Sequence, residues 1–213
     1  MNSLPDLKKL EKQMYRSVFQ DGIYDITWGL LMLALAFNPL FFRLGVSRNL
    51  LFVSELVLAG AWLIVGKRFI TLPRMGIVKP SARRQQTARR VMIAGIILFL
   101  ILLFLILVKT TGLFSITGDS FPTAPLLFSL FFLIVFTTLA LVMSYYTLFV
   151  AGLLFALSIP VSELLYPVLG EPLDTLLPFG VSALIILGIG SFRLVRFIGQ
   201  YPKTSPEDID AKS

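Results

Sequence analysis

Asp21 and Asp25 stand four residues apart, so a helix that carries both presents two carboxylates on one face, beside Gly22 and Gly29. A carboxylate pair suits proton transfer or cation binding. The competing expectation, and the favoured one, is that one or both pair with Arg74 or a neighbouring arginine and pin a basic loop against the fold. Glu55 and Glu163 are two further carboxylates inside apolar runs. They could meet Arg43 or Arg48 or line a small cavity, with pairing or snorkelling the expected outcome. The chain has no His and no Cys. That excludes thiol chemistry, zinc or iron–sulfur sites held by Cys or His, and His-based acid–base catalysis. The sequence has no nucleotide loop, catalytic nucleophile motif or metal-ligand spacing, so no catalytic residue, metal or cofactor is assigned.

The elements that position these groups follow from composition. Of 213 residues, 56% are hydrophobic and only 15% charged, with a mean hydropathy of +0.85. An ordinary soluble domain is roughly 45–50% apolar and about 25% charged. A water-soluble fold of this length cannot hide so much apolar surface, so lipid is the expected solvent. Apolar runs at 23–42, 50–65, 91–108, 126–143, 147–166 and 176–194 have about the length that crosses a hydrocarbon core. The fourth and fifth are continuous except for Ser144, Tyr145 and Tyr146, where a tight hairpin is expected. The predicted fold is all-α: a six-helix membrane bundle over 21–197, preceded by an interfacial helix over 1–20 and followed by a disordered tail over 198–213.

Topology follows from the cations. Under six spans, sixteen of the nineteen Lys and Arg fall on one side, and only Arg43, Arg48 and Lys109 on the other. The positive-inside rule then places both termini in the cytoplasm. Five spans would lose this asymmetry. The net charge of +7 is thereby explained by topology, and nucleic acid is not an expected partner. Cleavage as a signal peptide after Ala36 is disfavoured because the apolar run continues to Phe42 with Pro39 inside it.

Over residues 3–20, Leu4, Leu7, Leu10, Met14 and Val18 recur at helical spacing while Lys8, Lys9, Lys12 and Arg16 gather on another face. Such a helix lies on an anionic leaflet or on the ends of the bundle. The loop 67–90 carries Lys67, Arg68, Arg74, Lys79, Arg83, Arg84, Arg89 and Arg90. Pro73 and Pro80 are expected to forbid a continuous helix there. Its cations, Arg74 apart, are read as a collar at the level of lipid headgroups. Pro160 should free the Ala156 carbonyl, and Gly152, Ala156, Gly188 and Gly190 should allow close helix approach. Residues 167–174, with Glu171 and Asp174, read as a short exposed loop.

Asp21-Gly22-Ile23-Tyr24-Asp25-Ile26 and Thr71-Leu72-Pro73-Arg74-Met75-Gly76-Ile77-Val78 together resemble two elements of a family of uncharacterised bacterial polytopic membrane proteins. In that family an Asp-Gly-x-x-acidic-Ile element precedes a hydrophobic helix and a Thr-x-Pro-Arg-x-Gly-Tyr-Val element follows the second. Ile77 stands where the family pattern has Tyr, and the second half of the chain lies outside the resemblance. The resemblance implies a bacterial inner-membrane location and no activity.

The sequence therefore points to a non-catalytic binding or scaffold module whose basic cytoplasmic face engages anionic phospholipid, a partner protein or a second copy of the chain. A small transporter or channel using Glu55 and Glu163 is the alternative. A lipid-modifying enzyme with Asp21, Asp25 and Arg74 at the inner-leaflet boundary is a further one.

Overall fold

The computed structural model describes residues 19–75 and 123–202, with single positions between 86 and 101. Helix α1 (Ile23–Arg43) turns into α2 (Arg48–Gly66). A π-helical turn, Lys67–Thr71, carries α2 into a short α3 (Leu72–Met75). Then come α4 (Thr123–Met143), α5 (Tyr146–Leu169) and α6 (Leu173–Gln200). The described residues contain no strand. Five helices, counting Arg48–Arg74 as one, are long and apolar enough to cross a membrane. They cover five of the expected runs. The run 91–108 and the helix over 1–20 fall largely outside the described residues; positions 93–95, 97, 100 and 101 are helical.

The segment expected to become a loop at Lys67 stays helical through Met75. Pro73 has no N–H to offer the preceding turn, and the π-helical turn widens the backbone immediately before it. Ser47 caps α2 by accepting from the Leu50 N–H at 3.3 Å. The hairpin between α4 and α5 turns at Ser144, whose φ is 53°, and closes with the Tyr145 N–H on the Ala140 carbonyl at 2.9 Å. Pro160 lies inside α5, where it deprives the Ala156 carbonyl of its helical donor. Ser129 of α4 donates to that carbonyl instead.

α1 packs most extensively on α6, α4 on α5, and α5 on α6. Glycine makes the first contact possible. A Cβ on Gly190 would lie 2.8 Å from the Ile26 backbone nitrogen and 2.9 Å from the Asp25 Cβ, so a larger residue there would force α1 and α6 apart. Gly152 gives α5 the same closeness to Phe136 of α4, whereas Gly188 faces open space. Met32, Ala151, Ala183 and Ile186 form a buried cluster where α1, α5 and α6 meet. The outward faces keep large apolar side chains exposed along their length, among them Leu141 (75%), Val168 (78%) and Val195 (72%). That much exposed hydrocarbon is stable against lipid and not against water. The architecture is that of a multi-pass membrane protein.

Candidate functional site

The helices define two ends. One gathers the start of α1, the π-helical turn, the α4–α5 hairpin and the last turns of α6; the other gathers the α1–α2 and α5–α6 connections.

At the first end Asp21 is fully buried, and both its oxygens are used. Oδ1 accepts from the Ile23 N–H at 3.2 Å, holding the first turn of α1. Oδ2 accepts from Lys67 Nζ and from Thr71 Oγ1, each at 2.5 Å. Lys67 and Thr71 open and close the π-helical turn, so that turn brings an ammonium and a hydroxyl to one carboxylate oxygen. The same ammonium lies 4.4 Å from the centre of the Tyr24 ring, a cation–π contact.

Asp25 is one turn further along α1 and 2% exposed. Its Oδ1 accepts from the Tyr145 hydroxyl at the hairpin, and its Oδ2 from Arg193 of α6 at 3.2 Å. Tyr145 is itself buried and stacks on Phe19, ring centres 4.9 Å apart. Burial and the adjacent carboxylate push its phenol above the ordinary tyrosine range, so it stays a neutral donor. Two carboxylates thus tie together α1, the end of α2, the α4–α5 hairpin and α6, each through one cation and one hydroxyl.

Arg74 is elsewhere: its guanidinium donates to the Ile70 carbonyl of its own helix at 2.9 Å. Lys67, read from the sequence as a headgroup contact, turns inward to Asp21. Arg68, Arg89 and Arg90 are exposed, while Lys79, Arg83 and Arg84 lie outside the described residues. Glu55 is half-buried on α2 and hydrogen-bonds Asn38 of α1; Glu163 is exposed on α5. Lys67, Thr71, Tyr145 and Arg193 are the members that the sequence did not assign to this cluster. The only signal for them was position, since each lies at the same end of a span as the carboxylate it meets.

Beside the cluster opens a cleft of about 260 Å³ between the α1 start, the hairpin and the end of α6. Arg193 and Arg196 line it with Tyr145, Tyr146, Tyr201 and Gln200, and no carboxylate does among the described residues. Arg196 is exposed and has no acidic partner among the described residues. The cleft can therefore accept an anion from guanidinium, phenol and amide donors at once.

Comparison of the chain with family models, with curated proteins and with solved structures gives no match.

Proposed function

We propose that the protein is a non-catalytic membrane-embedded binding module that seats the phosphate of an anionic phospholipid in the Arg193–Arg196 cleft. The observation that carries this reading is the lining of that cleft, cationic and hydroxyl-rich with no carboxylate among the described residues, next to helices whose outer faces are hydrocarbon. Asp21 and Asp25 act as structural clamps, because their oxygens are already engaged and neither is free to take a proton from a substrate. This weighs against the lipid-modifying enzyme. The transporter reading gains little from Glu55 and Glu163, since Glu163 is exposed and Glu55 is held by Asn38.

The Lys and Arg distribution supports an orientation with the Asp21 end and both termini in the cytoplasm, and the resemblance of the Asp21–Ile26 and Thr71–Val78 elements supports a bacterial inner membrane. A sixth crossing within 76–122 is part of the same proposal. That α3 ends beside Asp21 whereas α4 begins at the opposite end of the bundle supports this crossing.

The test is thermal unfolding of the purified protein in a non-ionic detergent, titrated with short-chain phosphatidylglycerol, short-chain phosphatidylcholine or inorganic phosphate. Phosphatidylglycerol should raise the melting temperature well beyond the other two, and Arg196→Gln should remove most of that difference. Equal shifts with both lipids, or a difference that survives Arg196→Gln, would reject the reading. A shift with phosphate alone as large as with phosphatidylglycerol would reject the lipid as its source.

A further inference from the structure

The opposite end holds a buried carboxylate of a different kind. Asp174, read from the sequence as part of an exposed loop, lies in the first turn of α6 and is 6% exposed. Its Oδ2 receives one hydrogen bond, from Thr175 Oγ1 at 3.2 Å. Its Oδ1 is buried and has no partner, and no Lys or Arg pairs with it among the described residues. Arg43, which reaches this connection, donates to the Glu171 carbonyl instead. The helix N-terminus favours a negative charge but supplies only a fraction of one unit. A carboxylate taken out of water without a counter-charge is costly enough that something must neutralise it.

What surrounds Asp174 is oxygen. Thr175 Oγ1 lies 3.2 Å from Ser162 Oγ on α5. One turn deeper, Ser158 Oγ lies 2.9 Å from Ser182 Oγ and 2.8 and 3.2 Å from the Leu154 and Pro178 carbonyl oxygens. Pro178 also leaves the Asp174 carbonyl without its helical donor. Ser158 and Ser162 of α5, facing Asp174, Pro178 and Ser182 of α6, therefore form a polar stripe two helical turns long, about 12 Å, in an otherwise apolar interface. Hard cations take hydroxyl, carbonyl and carboxylate oxygens of this kind. One carboxylate among neutral oxygens balances a single positive charge, whereas a divalent ion would leave an unpaired charge in the same low-dielectric setting.

We infer that Asp174, Thr175 and Ser162 form a binding site for a monovalent hard cation of the sodium class, which supplies the charge that Asp174 lacks. The site lies in the opposite half of the molecule from the lipid cleft and does not rest on it.

The experiment is thermal unfolding of the purified full chain in sodium, potassium and choline chloride at matched ionic strength. Sodium should raise the melting temperature over choline by about 3–6 °C when present near ten times its dissociation constant. Asp174→Asn should abolish the sodium-specific rise, and Ser162→Ala should weaken it. Should Asp174→Asn fail to fold, Ser162→Ala and the broadening of the sodium-23 resonance by wild-type protein carry the test. Identical melting in all three salts would overturn the inference, as would a sodium effect that persists in Asp174→Asn. Stabilisation by acid in choline without any sodium effect would assign the counter-charge to a proton and also overturn it. Insensitivity to salt that becomes a loss of stability in Lys109→Gln would assign it to that side chain, with the same consequence.

Discussion

The two ends of the bundle each bury carboxylates, and they neutralise them in opposite ways. At the Asp21 end, Asp21 and Asp25 each receive a cation and a hydroxyl from helices distant in sequence: Lys67 with Thr71, and Arg193 with Tyr145. At the other end, Asp174 receives a hydroxyl and no cation among the described residues. The first arrangement holds helices together at all times, because both charges belong to the chain. The second is complete only when something from outside joins it. The contrast separates a clamp from a site: a buried charge that the fold itself balances is architecture, and one that it leaves unbalanced is an opening for a ligand.

The strongest way to break this contrast is to make the first end resemble the second. Arg193→Ala strips the paired cation from Asp25, which is 2% exposed and would keep Tyr145 as its hydrogen-bond donor. Removing one member of a fully buried pair costs about 3–5 kcal/mol, and because the Arg193 side chain is 36% exposed the loss falls at the lower end, about 3 kcal/mol. Thermal unfolding in detergent should show the largest loss of any single variant here, and Arg193→Lys should recover part of it. A loss no larger than that of an exposed arginine such as Arg68 would mean that the Asp25 pair carries no load.

A smaller effect is expected from separating the helices while leaving every charge in place. Gly190→Ala puts a methyl within 3 Å of the Ile26 backbone nitrogen and the Asp25 Cβ. Overpacking of this kind costs about 1–3 kcal/mol. Gly188→Ala, which faces open space, is the matched control and should be close to neutral. Equal melting temperatures for the two variants would contradict the close α1–α6 approach that brings Arg193 to Asp25.

The smallest effect sharpens the comparison by testing a polar contact without charge. Ser129→Ala removes the hydroxyl that serves the Ala156 carbonyl freed by Pro160. A hydrogen bond of this type contributes about 1 kcal/mol, hence a fall of roughly 2–4 °C in melting temperature. The double variant Ser129→Ala with Pro160→Ala should restore most of it, because the helix then satisfies its own carbonyl.

Much of the fold was legible because period and length are local properties. Apolar runs marked the five helices described here, three polar residues marked the hairpin, and Pro160 marked the carbonyl at Ala156 that needed another donor. The partners were not legible. Asp25 meets a residue 168 positions away, a pairing set by how α1 and α6 pack rather than by any spacing in the chain. Arg74 was the nearer expectation by motif, but it spends its guanidinium on Ile70. The π-helical turn was hidden for a related reason: Pro73 reads as a stop, and nothing local says that the backbone can widen before it. Asp174 was misplaced because Gly170, Glu171 and Pro172 beside it read as a turn, although α6 begins at Leu173 and buries it.

The separation of clamp from site requires the two ends to lie on opposite faces of a bilayer, and the absence of native cysteine makes that directly measurable. Single cysteines at Gln200 and Glu171, both exposed and at opposite ends, can be labelled with a membrane-impermeant maleimide in sealed right-side-out and inside-out vesicles. Glu171→Cys should react from outside and Gln200→Cys only in inverted vesicles. Labelling of both from the same side would contradict the membrane-spanning bundle and, with it, the separation of clamp from site.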